Sequence, residues 1–209
     1  MEKQAATRHR IVEAVVALHR EVGPARTTIT AIAERASVER LTVYRHFADE
    51  TSLFTACSAH FVSETSPPDP AAWARIRDPS SRLGAALTAF YGYYRRGEDM
   101  LTHVFRDAPL LPAMLPVLEP WFRFVAITRA DLVAGWGVRG LRRARLTASI
   151  GHALRFESWK SLAREEGLED ADVVELMVAL ATAASSSAPG GRAGRHPAGV
   201  TDGRTTSGR

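Results

Sequence analysis

Apolar residues in this chain recur at steps of three and four almost from end to end, and nowhere do they settle into a convincing strand-like alternation. That periodicity confines the chain to an all-α fold. Ile11, Val15, Leu18 and Val22 fall on one face of a first helix, which Gly23-Pro24 ends. Thr28 is a suitable N-cap for a second helix that turns Ile29, Ile32 and Ala33 inward. A third helix follows the small-residue turn Ala36-Ser37-Val38. Asp49 can cap a fourth running through Leu53, Phe54, Cys57 and Phe61.

The segment 66–79, "SPPDPAAWARIRDP", holds four prolines and reads as a linker between a small N-terminal module, 1–65, and a larger helical domain, 80–184. The second domain is predicted to hold helices over 80–96, 98–107, 118–135, 141–166 and 170–184. Pro109, Pro112, Pro116 and Pro120 predict a broken or kinked connection before the third of these. In the last two, Leu146, Ile150, Leu154, Phe156, Trp159 and Leu162, then Val173, Val174, Leu176, Met177, Leu180 and Ala181, spread over more than one face. A stripe that wide fits either a four-helix interface with a second copy or a central position in a monomer.

The 209 residues suffice for a substantial core without an external staple. The single cysteine, Cys57, excludes an intramolecular disulfide framework and a multi-cysteine zinc site, and reads as a core thiol. No stretch reaches the roughly 18 apolar residues needed to span a bilayer, and the N-terminus lacks the apolar core of a signal peptide. A soluble, cytoplasmic protein with no membrane partner is expected. The formal net charge of +4 is concentrated in 185–209, where four arginines face one aspartate. Only +1 remains for the rest, so bulk charge does not argue for nucleic acid. That terminal stretch, rich in Gly, Ser, Pro and Arg, is expected to be disordered.

A sharper signal lies in "ASVERLTVYRHFADE", residues 36–50. Two short helices about a small-residue turn make a helix-turn-helix, with Val38 plugging the turn and Val43 and Phe47 pinning the second helix. Arg40, Leu41, Thr42, Tyr44, Arg45 and His46 are then left outward, on the part of such a unit that enters a major groove. The Arg40 fork suits guanine O6 and N7, while Leu41 and Thr42 suit a thymine methyl. Tyr44, His46 and the Thr28 hydroxyl suit phosphate oxygens. Lys3, Arg8 and Arg10 are expected to extend the grip as an N-terminal arm.

From Arg10 to Phe54 the chain resembles the DNA-binding domain of TetR-family transcriptional regulators. The matching elements are Gly23, Thr27, Thr28, Ile32 and Ala33, the turn Ala36–Val38, then Thr42-Val43-Tyr44, Phe47 and Leu53. The resemblance implies a homodimer that binds palindromic double-stranded operator DNA, usually as a repressor, with a variable C-terminal domain that binds a small-molecule effector and dimerises. Three positions depart from the family pattern: Glu50 stands where a phosphate-holding lysine is usual, Leu41 where a small residue or proline is usual, and Glu39 where serine is common. A helical ligand-sequestering or protein-interaction module that has lost DNA binding is the alternative, for which Glu50 speaks. Its bland reading is that Glu50, with Asp49, stabilises the positive end of its own helix.

Two recognition helices about 34 to 36 Å apart would dock in successive grooves, and a ligand preferring another separation would loosen DNA by linkage. Candidate effector contacts are the aromatics Phe90, Tyr94, Trp121, Phe124 and Phe156, with His103 and His152 as polar partners; Tyr91, Phe122 and Arg106 are further possibilities. "GWGVRG", 135–140, matches a dinucleotide fingerprint letter for letter, but it follows a helix rather than a strand. His103 and His152 lack metal-binding spacing, and neither H-E-x-x-H nor G-x-S-x-G occurs. No enzyme, no cofactor and no metal are expected.

Overall fold

Burial starts with the first helix. In the computed structural model, which describes residues 2–186, α1 (Glu2–Glu21) buries Ile11, Val12, Val15, Val16 and Leu18. The three- and four-residue spacing of these side chains gives α1 two covered flanks rather than one. Val22, predicted to point inward, lies past the helix end and is 37% exposed. The chain reverses at Gly23, whose φ of +93° only glycine adopts without strain, into a 3-10 turn at Pro24–Arg26.

On α1 sit α2 (Ile29–Arg35) and α4 (Glu50–Thr65), and on α2 packs α3 (Arg40–His46). The Thr28 hydroxyl accepts from the Ala31 amide at 3.1 Å and starts α2. Asp49 and Ser52 form a capping box at the start of α4, with the Asp49 carboxylate accepting from the Ser52 amide at 2.7 Å. The proline-rich segment after α4 is packed, not loose. It contains a 3-10 turn at Pro70–Ala72 and buries Trp73 against Phe90, ring centroids 6.1 Å apart.

Then follow α5 (Pro79–Arg96), α6 (Glu98–Asp107), two 3-10 turns at Ala108–Leu110 and Pro112–Met114, α7 (Leu115–Ala134), α8 (Gly140–Ala153), α9 (Phe156–Lys160) and α10 (Asp170–Ser186). Helix α7 begins three residues before the predicted 118 and runs through Pro120, which lies near enough to the helix start to forfeit only one backbone bond. The predicted helix 141–166 is broken. At Leu154-Arg155 the chain leaves α8, and the freed carbonyls of Ala153 and Leu154 accept from the hydroxyls of Tyr91 and Tyr94 at 3.0 and 2.6 Å. A π-helical turn, Ser161–Glu165, continues α9.

Helix α10 packs on α8 and α5 through Val173, Met177 and Ala181. It ends at Ser186, so Ser185 and Ser186 of the expected tail are helical, and its remainder, 187–209, lies outside the described residues. The "GWGVRG" stretch joins α7 to α8, with Gly137 and Gly140 at positive φ; no strand precedes it. Among the described residues no helix is long and apolar enough to cross a membrane.

A Cβ at Gly23 would collide with Arg106 Nη2 and lie 2.5 Å from the Asp107 carboxylate, in addition to the φ strain. Gly23→Ala is expected to lower the unfolding free energy by roughly 1–3 kcal/mol. Urea titration checks this; an unchanged midpoint would mean that the turn relaxes freely.

Candidate nucleic-acid interface and an adjoining cavity

The second helix of the helix-turn-helix is anchored from beneath and open above. Val43 is 1% exposed and Phe47 4%, while the turn residue Ser37 takes φ +53°, letting α2 and α3 approach closely. Arg40, Leu41, Tyr44 and Arg45 are exposed, Leu41 at 56% and Tyr44 at 51%; Thr42 and His46 are half-buried. Thr28 is exposed next to this face, and with its oxygen occupied by the helix cap its hydrogen remains available to an acceptor. The face thus presents forks, hydroxyls and an imidazole without an apolar cover.

Lys3, Arg8 and Arg10 do not form an arm, because α1 already runs from Glu2. Arg8 instead stacks its guanidinium over the Phe47 ring, 4.8 Å from the centroid, which ties the cation to the base of α3. Glu50 is exposed in the first turn of α4, beside the Asp49 cap, where its charge meets the positive end of that helix.

Next to this module lies a cavity of about 510 Å³, formed by α1, α4, α6, α7 and the turns before α7. Of the seven candidate effector contacts, Trp121 and Phe124 line it. The other five do not. Phe90 is fully buried among Trp73, Tyr94, Trp121 and Phe124, and Tyr94 and Phe156 pack against each other and Trp159. His152 is exposed and pairs with Ser158 at 3.2 Å. His103 faces α1, where its Nδ1–H donates to the His19 carbonyl at 3.0 Å. Of the further possibilities, Tyr91 is core, Phe122 is 50% exposed, and Arg106 turns to α1. The walls that sequence reasoning missed come from α1 and α4, notably His19, Phe54, Cys57 and Phe61, on the far side of the 66–79 segment from the predicted effector domain. Their spacing marks them as core, and nothing in a helical period separates a core side chain from one at a cavity wall.

The same α6 that supplies Met100, Leu101, Val104 and Phe105 to the wall grips the end of α1. Beyond the His103 bond, Arg106 donates to the Val22 carbonyl at 3.1 Å, and the Asp107 carboxylate, 2% exposed, accepts from the Ala25 amide at 3.0 Å. Arg106 also donates to Asp107 at 2.7 Å and, with the Ala25 amide, holds its carboxyl below the usual carboxylate range against the cost of burial.

His19 is 2% exposed, and its Nδ1 meets the Cys57 sulfur at 3.4 Å. Burial pushes its proton affinity from the ordinary 6.5 down to about 4, the Asp107 charge opposing only in part. Between those values the unfolded chain takes up a proton that the folded chain refuses. Stability from this group is therefore complete above about pH 6.5 and drains away as pH falls towards 4. Between pH 7 and pH 5 the wild type is expected to lose about 2 kcal/mol more than His19→Phe in urea unfolding. Equal losses would place the proton uptake elsewhere.

Residues 11–57 match the family model described as "Bacterial regulatory proteins, tetR family". No curated protein matches the chain. Among solved structures, a TetR-like transcriptional regulator from Rhodococcus sp. RHA1 aligns with a TM-score of 0.60 at 19% identity, over 85% of this chain and 94% of that one. A tetR-family transcriptional regulator from Streptomyces coelicolor aligns at 0.60 and 14%, over 89% and 83%. The multidrug binding protein EbrR, complexed with imidazole, aligns at 0.54 and 20%, over 83% and 88%. At these identities the likeness is one of fold. Residues 11–57 thus match the tetR family of bacterial regulatory proteins, and the helices beyond them follow the fold of solved regulators of that kind.

Proposed function

We propose that this protein is a ligand-responsive transcriptional regulator, acting as a repressor, that binds palindromic operator DNA as a homodimer and is released by a small, largely apolar effector. The observation that carries the reading is the outward face of α3: Arg40, Leu41, Thr42, Tyr44, Arg45 and His46 surround a buried Val43. In this scheme Arg40 reads a guanine edge, Leu41 and Thr42 touch thymine methyls, and Thr28, Tyr44, Arg45 and His46 hold phosphates.

In this reading residues 1–65 contact DNA, 66–79 connect, and 80–184 pair the subunits. The pairing surface is α8 with α10, where Leu176 and Leu180, one helical turn apart, are 44% and 43% exposed. The effector takes the cavity beside Trp121 and Phe124, whose volume lies within the usual range for small-molecule sites. Filling that cavity shifts α6, and the bonds from His103, Arg106 and Asp107 carry the shift to α1 and its helix-turn-helix. A tenfold loosening of DNA needs only about 1.4 kcal/mol of differential binding.

Fluorescence titration against the DNA flanking the protein's own coding region should show saturable, sequence-dependent binding that weakens steeply with salt. Arg40→Ala should relax base preference at one position per half-site, whereas Tyr44→Phe should weaken all sequences alike. Absence of saturable binding would favour a module that has lost its DNA. For the pairing, sedimentation of the wild type should give a dimer and Leu176→Glu with Leu180→Glu a folded monomer; a dimer in both would move the interface off α10.

A further inference from the structure

We propose that the effector of the cavity is a neutral, largely apolar molecule carrying one hydrogen-bonding group, and that Nε2 of His19, on α1 itself, is the atom that bonds it. This rests on reading the cavity as the effector site.

The charge of the occupant follows from the walls. Among the described residues no Asp, Glu, Lys or Arg lines the cavity, so a charged group drawn inside would lose its hydration without a counter-charge. The residues that supply the walls are chiefly aromatic, aliphatic, proline and methionine.

The place of the hydrogen bond follows from counting polar groups on those walls. Thr55 donates to its own helix at the Thr51 carbonyl, 2.7 Å away. The Tyr93 hydroxyl is engaged with Thr65. Ser58 is only half-buried, so an unmatched hydroxyl there carries little cost. His19 differs from all three: its Nδ1 is taken by Cys57, and its Nε2 is buried with no hydrogen-bond partner among the described residues. A buried polar atom left unmatched is costly; Nε2 has almost no surface open to the empty cavity, so the imidazole turns to meet an occupant, and the bond it then makes recovers that cost.

Both partners of the pair are neutral near pH 7, since burial holds the imidazole's proton affinity down to about 4 and pushes the Cys57 thiol up to about 12. Nε2 is then a donor if the thiol gives its hydrogen to Nδ1, and an acceptor if Nδ1 carries the hydrogen. A hydroxyl on the occupant satisfies either case. Because the His19 carbonyl is the group held by His103 of α6, the occupant would bond to the residue at which α6 meets α1.

The test is competition for N-phenyl-1-naphthylamine fluorescence on the full chain at pH 7, using naphthalene, 2-naphthol, 2-methoxynaphthalene and protonated 1-naphthylmethylamine. Expected are displacement by 2-naphthol about fivefold better than by naphthalene, negligible displacement by the ammonium, and loss of the hydroxyl preference in His19→Phe with naphthalene binding retained. The methyl ether, which only accepts, matches 2-naphthol if Nε2 is a donor and matches naphthalene if it is an acceptor. In the wild type, 2-naphthol but not naphthalene should shift the His19 Nε2 nitrogen resonance, a readout that needs no variant to fold. A hydroxyl preference that survives in His19→Phe, an ammonium that competes as well as naphthol, or an unmoved Nε2 resonance overturns the proposal. Those outcomes leave the effector reading standing, whereas failure of every probe to enter the cavity overturns both.

Discussion

The grip of α6 on the end of α1 is the contact on which the rest of this structure depends. Three polar bonds, from His103, Arg106 and the Ala25 amide to Asp107, close around a backbone turn that only Gly23 can make. Above that grip, α1 is the floor on which α2 and α4 rest, with α3 packed on α2; beside it, α6 is one wall of the cavity. A close-packed interior transmits displacement poorly by bending and well by discrete shifts. Because α6 packs directly on α1, a change in α6 has a short mechanical route, through α1 and α2, to the residues around Val43.

The outward face of α3 was legible in the sequence because helical spacing assigns Val43 and Phe47 to one side and Arg40, Tyr44 and Arg45 to the other. Caps were legible for a similar reason: Thr28 and Asp49 each act through a bond to the backbone amide three residues on. The cavity was not. Phe90, Tyr94 and Phe156 share the composition of a binding site but fill one another's surroundings, and only Trp121 and Phe124 of the aromatic candidates reach an open space. A cavity exists where side chains from distant segments fail to meet, a property of packing that no local pattern encodes. The break between α8 and α9 escaped for the same cause, since the hydroxyls that satisfy it come from Tyr91 and Tyr94, about sixty residues upstream. The N-terminal cations were misplaced as an arm because nothing local marked the start of α1 as early as Glu2.

The electrostatics divide the molecule into two chemistries. Around α3 the cations are solvated and suited to a polyanion whose grip depends on salt. The His19–Cys57 pair itself carries no full charge at neutral pH, and its one unmatched nitrogen is a polar point on largely apolar walls. The two meet within α1, which carries Arg8 over Phe47 near one end and His19 near the other. A single helix therefore touches both the proposed DNA face and the proposed effector, which shortens the coupling to the length of one rigid element.

The measurement that tests this account most directly is the separation of the two recognition helices in solution. Nitroxide labels on Glu34→Cys, an exposed position of α2 outside the proposed DNA contacts, with the buried Cys57 left unlabelled, report it by pulsed electron resonance. Bound to its operator, the protein should give one distance close to a duplex turn, about 34 to 36 Å between the helices. Saturating the cavity of the free protein with N-phenyl-1-naphthylamine should move that distance away from a duplex turn. No intermolecular distance at all, or one that stays fixed when the cavity is filled, would contradict the coupling of cavity to recognition helix.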